Sequence, residues 1–214
     1  MESTAQIQGV KASLPMYRTL AAKNNSISGD GSQMHTTEDV RLQLPLIFER
    51  FAIGSVTDAP CGDFYWMQHV DLSNVDYVGY DVIEEIVAEN QLKFGSPTRS
   101  FHVLDILNQI VRKSDLLVCR DFLFHISNDD ICRVLANFRK SGCAYLLSTT
   151  FDYVEVNVDK SSDNYDSRPI NLSIEPFCLG KPVSTFVETH PACRRRSMSL
   201  WSLSGDQNAV VPNV

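Results

Sequence analysis

The stretch Ser55-Val56-Thr57-Asp58-Ala59-Pro60-Cys61-Gly62-Asp63-Phe64-Tyr65-Trp66 decides how this chain folds. Its β-branched opening reads as a strand, and the Ala-Pro-Cys-Gly run after Asp58 reads as a turn. Asp81 stands 19 residues beyond Gly62, at the end of a second apolar run, Tyr77-Val78-Gly79-Tyr80. A strand broken by a glycine-bearing turn and a carboxylate about 20 residues later are the two halves of a nucleoside-binding site. Gly62 permits close approach of backbone to a ligand, and Asp58 can receive a donor such as an amino group. Taken alone, the turn equally fits an ordinary strand-to-helix connection.

Working outward, short runs rich in Val, Ile, Leu or aromatics predict strands at 55–59, 76–80, 100–104, 115–119 and 144–149. Helical stretches lie between them: about 64–70, 83–94 with Ile86, Val87 and Leu92, a short one after Asp105, and 128–141. Before them, Thr36 or Thr37 can cap a helix running to about Phe51, with Leu42, Leu46, Ile47 and Phe51 near helical spacing and Pro45 as a kink or break. Strand and helix in alternation imply parallel strands with right-handed crossovers. The expected class is therefore α/β, a doubly wound sheet. Runs at 183–188 and 198–203 read as a closing hairpin whose polar connection holds Arg194-Arg195-Arg196. That triplet fits either a solvated loop or recognition of an anionic substrate.

With 214 residues and 43% hydrophobic content, one domain with a full core is the default. Residues 1–35, rich in Ser, Asn, Gln and Gly, are expected to form a flexible flap, 36–204 the domain, and 205–214 a frayed tail. The polar region 155–170 is expected to be a mobile lid. No apolar run reaches about 18 residues, and the N-terminus lacks a basic flank with an apolar stretch, so a cytoplasmic protein with no membrane partner is expected. Six cysteines with no Cys-x-x-Cys pair point to reduced, buried thiols and no structural metal. A formal charge of −7 disfavours nucleic acid as a partner.

Asp81, at the end of a buried strand, can accept hydrogen bonds from both hydroxyls of a ribose, or cap the helix that starts after Ile83. Asp105 ends the third strand at the same edge, where its carboxylate can accept an adenine amino hydrogen or cap the turn that follows. Leu104 and Ile106 would then wall the base. A nicotinamide dinucleotide needs a Gly-x-Gly-x-x-Gly turn against its pyrophosphate. This chain has Asp-x-x-Cys-Gly-Asp instead, with one glycine and two carboxylates. Two negative side chains suit a cationic sulfonium better than a pyrophosphate.

These residues resemble the class I S-adenosylmethionine-dependent methyltransferases, in particular small bacterial-type members. The resemblance runs through Ser28-Gly29-Asp30-Gly31-Ser32, Asp58 to Phe64, Val118-Cys119-Arg120-Asp121, His125-Ile126-Ser127, Asn171-Leu172-Ser173-Ile174-Glu175-Pro176-Phe177 and Leu200-Trp201. It covers about 26–204 and implies a Rossmann-like sheet of seven strands, the last antiparallel, with helices on both faces. The cofactor-binding set it implies is Asp58, Ala59, Pro60, Cys61, Gly62, Trp66, Asp81, Val82, Ile83, Leu104, Asp105 and Ile106, with Arg120 and Asp121 beside the methionine part and the methyl group.

Methyl transfer is a displacement at carbon, served by in-line positioning and exclusion of water. A hydroxyl acceptor also benefits from proton removal. His125, four residues past Asp121, is the candidate base, with a satisfied structural histidine as the plain alternative. Asp121 could orient an acceptor or anchor the cofactor amine. The expected function is methylation of a small molecule, a sugar or natural-product-like scaffold, with oxygen the preferred acceptor atom. The competing reading is a non-catalytic S-adenosylmethionine-binding regulatory or partner-binding module. No Asn-Pro-Pro-Tyr or Asp-Pro-Pro-Tyr follows the fourth strand, as a nucleic-acid methyltransferase would suggest.

Overall fold

The computed structural model describes residues 4–7, 10–13, 25–160, 167–193 and 195–204. The expected tail at 205–214, much of the expected flap and the centre of the expected lid lie outside the described residues. Strands β1 (Thr4–Ile7) and β2 (Val10–Ser13) pair antiparallel with each other. The other seven form one sheet: β3 (Ser55–Asp58), β4 (Asp76–Asp81), β5 (Arg99–Val103), β6 (Leu116–Cys119), β7 (Tyr145–Thr150), β8 (Ser184–Val187) and β9 (Ser197–Ser202). Their order is β5-β4-β3-β6-β7-β9-β8, and β9 is antiparallel to both its neighbours while the remaining ladders among β3 to β7 are parallel. The seven strands with the last one reversed are those the resemblance implied. Between β3 and β6 the strand order changes direction, and the connections leaving these two strands part at their carboxyl ends.

All four residues of β6, Leu116-Leu117-Val118-Cys119, are buried, as a central parallel strand covered on both faces requires. The pleat sends Leu117 and Cys119, with Val78, Leu146 and Trp201, towards helix α3 (Asn128–Ser141) and its Ile131, Val134, Leu135 and Phe138. Leu116 and Val118, with Val56, Tyr77, Leu147 and Leu200, face the opposite way onto helix α1 (Glu38–Arg50). Helix α2 (Glu84–Phe94) follows β4 and contributes Val87 to that second layer. Helices therefore cover both faces. The limits of α3 are written locally: Ser127 Oγ accepts the Asp130 N–H at 3.1 Å, and Gly142 ends the helix with φ 74°.

Several expectations need correction. The apolar stripe of α1 is Val40, Leu44, Ile47 and Phe48, at a helical spacing of four, three and one, so Leu42 and Leu46 are exposed. Pro45 sits inside α1 without ending it, and Thr37 Oγ1 donates to the Gln33 carbonyl rather than capping. Leu92 of α2 is also exposed. Over 64–70 only a 3₁₀ turn, Met67–His69, forms, because Phe64 is held at φ 56° by packing among Tyr77, Phe94 and Phe101. After Asp105 there is a hydrogen-bonded turn rather than a helix. Cys61, Cys119, Cys143 and Cys193 are buried, but Cys178 is exposed and Cys132 half-buried. Among the described residues no helix is long and apolar enough to cross a membrane.

Phe138, fully buried between α3 and the sheet, is the measure of this packing. Phe138→Ala is expected to lower stability by about 3–5 kcal/mol in urea unfolding.

Candidate active site

A cavity of about 660 Å³ opens at the carboxyl ends of the strands, across the switch point. The turn after β3 and the end of β4 are joined directly there. Asp81 Oδ2 accepts the Gly62 N–H at 3.1 Å and Oδ1 accepts the Ile83 N–H at 3.0 Å. The Cys61 N–H donates to the Tyr80 carbonyl, and Asn90 Nδ2 donates to the Gly62 carbonyl. Gly62 has φ 55°, and a Cβ built on it would lie 2.2 Å from Ser28 Oγ, so backbone conformation and space both require glycine. Asp58 is buried and accepts the Tyr77 hydroxyl at 2.7 Å. Burial lifts its carboxyl to about 7, against the pull of the Tyr77 hydrogen bond. Burial likewise raises Asp81 to about 6, although three backbone N–H groups oppose the shift.

The second aspartate of the motif faces away from this pair. Asp63 Oδ1 accepts the hydroxyls of Ser26 and Ser28 at 3.0 Å each, and Oδ2 accepts the Ile27 N–H at 2.9 Å. The Asp63 N–H in turn donates to Ser28 Oγ. The expectation of two carboxylates flanking the cofactor is corrected: Asp63 is a latch for the chain before α1. That segment, which includes the described end of the expected loose flap, folds over the cavity and lines it with Ser28, Gly29, Asp30, Gly31, Ser32 and Thr36.

The far end of this strap meets a buried charge cluster. Arg120 donates to Glu188 Oε1 at 2.7 Å, to the Gly31 carbonyl at 2.7 Å and to the Thr36 carbonyl at 3.3 Å. Arg196 donates through Nε to Glu188 Oε2 and through Nη1 to Asp121 Oδ2, the latter at 2.7 Å. Burial opposes the charge on Arg120, but Asp121 and Glu188 outweigh it and hold its pKa above the ordinary value. The Arg120 guanidinium also lies 5.5 Å from the ring centroid of Trp66. The solvated-loop reading of the arginine triplet fails for Arg196, which is buried. Glu188 was not singled out by the sequence, and Arg196 only as part of the basic triplet, although the hairpin itself was. Antiparallel pairing sets the start of β9 beside the end of β7, and so returns both residues to the ligand edge.

Of the residues picked from sequence, Asp58, Pro60, Cys61, Gly62, Trp66, Asp81, Val82, Leu104, Ile106, Arg120, Asp121 and His125 line the one cavity. Ala59 and Ile83 do not. Ala59 is packed in the core with its N–H on the Val118 carbonyl, and Ile83 packs on Ile86. Asp105 is also absent from the lining: its carboxylate accepts the Leu107 N–H at 2.9 Å and Asn108 Nδ2 at 2.7 Å, which is the capping alternative. His125 is half-buried in the 3₁₀ turn Leu123–His125, with its ring 4.4 Å from that of Phe124. The Lys160 ammonium donates to the His125 carbonyl, and Arg168 donates to the carbonyls of Phe124, Ile126 and Val158. The described ends of the expected lid are thus bonded to the site's rim.

No family profile and no curated protein sequence matches the chain. Solved structures do. The N-methyltransferase NodS from Bradyrhizobium japonicum WM9, in complex with S-adenosylhomocysteine, is 12% identical and superposes with a TM-score of 0.63 over 87% of this chain and 97% of that one. Magnesium protoporphyrin IX methyltransferase from Synechocystis PCC 6803, also with bound S-adenosylhomocysteine, is 13% identical with a TM-score of 0.58 over 79% and 82% of the two chains. The mitomycin 7-O-methyltransferase MmcR is 11% identical with a TM-score of 0.58 over 78% of this chain and 54% of its own. This chain has the methyltransferase fold.

Three outcomes follow from the site. Asp63→Ala is expected to release the strap, read as faster amide exchange at 26–28 with the sheet core unchanged. Glu188→Ala leaves two buried guanidinium groups facing each other, with an expected loss of about 3–5 kcal/mol in urea unfolding. The third concerns pH. The folded state keeps the Asp58 proton that the unfolded chain releases near 3.8, so stability falls as pH rises from there to about 7. Asp58→Asn retains the Tyr77 bond and is expected to stabilise the protein at pH 8 by on the order of a few kcal/mol, with no gain at pH 4.

Proposed function

We propose that this chain is an S-adenosylmethionine-dependent methyltransferase acting on a small-molecule acceptor, with oxygen the preferred acceptor atom. The observation that carries the proposal is the direct bond between the Asp81 carboxylate and the Gly62 N–H, in one cavity with Asp58, Asp121 and His125. The residues fit the cofactor. The cavity volume of about 660 Å³ falls within the range of about 300–1,000 Å³ common for cofactor and ligand sites. Asp58 and Asp81, both lifted by burial, gain from hydroxyl donors and a cationic group in a way that a pyrophosphate would reverse.

In this reading Asp81 accepts the ribose hydroxyls, Asp58 receives the amino group of the methionine part, and the Gly62 backbone lies against the nucleoside. Val82, Leu104 and Ile106 form apolar walls for the base. The Asp105 carboxylate, occupied by its own turn, is left out of the adenine contact. The cofactor, when bound, supplies an electrophilic methyl group on a sulfonium cation. Arg120 and Arg196 hold Asp121 in a fixed position, where it orients the acceptor. His125 takes the proton of an acceptor hydroxyl, and the strap from Ser28 to Ser32 excludes water.

Two measurements test this. Titration with S-adenosylhomocysteine is expected to show affinity lowered about 10–100-fold by Asp81→Ala. With a hydroxyl acceptor found by transfer of labelled methyl from S-adenosylmethionine, His125→Ala is expected to lower kcat about 10²–10⁴-fold. Tight cofactor binding with no label transferred to any cell-extract fraction supports the non-catalytic module instead.

A further inference from the structure

We infer that the acceptor is a planar aromatic molecule, bound against a wall of rings made by Phe124, Phe151 and Tyr153. The inference rests on the methyl-transfer reading and names the substrate class of that same cavity. Strand order divides the lining into two sides. The ends of β3, β4 and β5 supply the carboxylates and apolar residues assigned above to the cofactor, whereas the chain after β6 and β7 supplies the rings. Phe124 and Phe151 meet edge to face at 5.9 Å and 76°, and Phe151 and Tyr153 meet likewise at 6.1 Å and 85°. Phe124 and Phe151 are almost buried and Tyr153 is 44% exposed, so the wall runs from the cavity's interior to its mouth. There the Arg195 guanidinium lies 5.0 Å from the Tyr153 ring centroid.

Apart from Arg195 at the mouth, which lies over the Tyr153 ring, the charged side chains nearby are committed elsewhere. Arg168 donates to three carbonyls and to Asn128 Oδ1. Arg196 is paired with Glu188 and Asp121, so neither cation is set aside for a phosphate or carboxylate on the acceptor. Asp121 is paired with Arg196 and Arg120, which removes the bare carboxylate that an ammonium acceptor among rings would use. A sugar would call for several convergent donors and acceptors, one set for each hydroxyl. Among the described residues on this side, Phe122, Phe124, Phe151 and Tyr153 bring four aromatic rings to the lining, and stacked rings are favoured beyond the area they bury.

The experiment uses the full chain and has two separate readouts. Binding of S-adenosylhomocysteine is measured by calorimetry first. Its absence overturns the methyl-transfer reading while leaving the ring wall to be judged on the second readout. That readout is saturation-transfer NMR with 7-hydroxycoumarin, 2-naphthol, methyl α-glucopyranoside and hexylamine, with and without S-adenosylhomocysteine. The two aromatic probes are expected to bind and the other two not. Tyr153→Ala is expected to weaken the aromatic probes about 3–10-fold, with recovery in Tyr153→Phe. Phe124→Leu, which keeps the apolar volume but removes the ring, checks the interior of the wall independently and is expected to weaken them as well. Binding of the glucoside or the amine in preference to both aromatic probes, failure of both aromatic probes to bind, or aromatic binding insensitive to both substitutions overturns the inference.

Discussion

Everything at the working edge of this protein depends on the reversal of strand order between β3 and β6. Right-handed crossovers carry the chain outward through β4 and β5 on one side and through β7 on the other, so the connections leaving β3 and β6 diverge. A crevice is the geometric result, and no local sequence signal is needed to create it. What local sequence does is furnish the crevice. Three of the strands that reach it end in a polar residue or give way to one: Asp58 on β3, Asp81 on β4, and Arg120 with Asp121 after β6. The Asp81 bond to the Gly62 N–H then fixes the β3 turn against its neighbour, and the site has a floor before any ligand arrives.

The two sides of that floor handle charge in opposite ways. Around β6 and the closing hairpin, two guanidinium groups and two carboxylates satisfy one another, with Glu188 giving one oxygen to each arginine. Desolvating four ions gains little net stability, so the cluster is better understood as a means of holding β8, β9 and the strap in one arrangement than as a source of folding energy. Around β3 and β4 the carboxylates are underpaired. Asp58 has a single phenolic donor and Asp81 only backbone N–H groups, and burial raises both. A buried carboxylate held near neutrality is unfavourable for the empty protein and becomes favourable once a donor-rich or cationic ligand fills the space.

That contrast also explains which parts were legible in the sequence. Elements whose limits are set locally could be read off: α3 starts at a Ser cap and stops at a left-handed glycine, and β6 is a short, wholly apolar run. The Gly62 and Asp81 pairing was legible because strand, turn and strand fix its spacing. Partners chosen by tertiary contact were not legible. Asp63 looks like a second cofactor carboxylate until the Ser26 and Ser28 hydroxyls are seen on it. Arg196 looks like part of a solvated basic run until the antiparallel pairing of β9 carries it to the ligand edge. Asp105 has the position of an adenine acceptor, but a local N–H two residues on competes successfully for its carboxylate. The helix expected over 64–70 lost to the packing of a single ring, that of Phe64.

The strap makes the two sides of the site one mechanical unit. At one end the Ser28 hydroxyl shares a bond in each direction with Asp63, and it occupies the space that a side chain at position 62 would need. Three residues later, a Cβ at Gly31 would lie 2.0 Å from Asp121 Oδ2, and the Gly31 carbonyl receives Arg120. Ser28 to Gly31 therefore bridges the β3 turn and the end of β6 over four residues. So short a segment has little slack, which fixes the spacing between its two anchoring points. Gly31, part of the Ser-Gly-Asp-Gly-Ser motif, is the point where the strap touches Asp121 and Arg120, so the strap packs on both sides of the crevice at once.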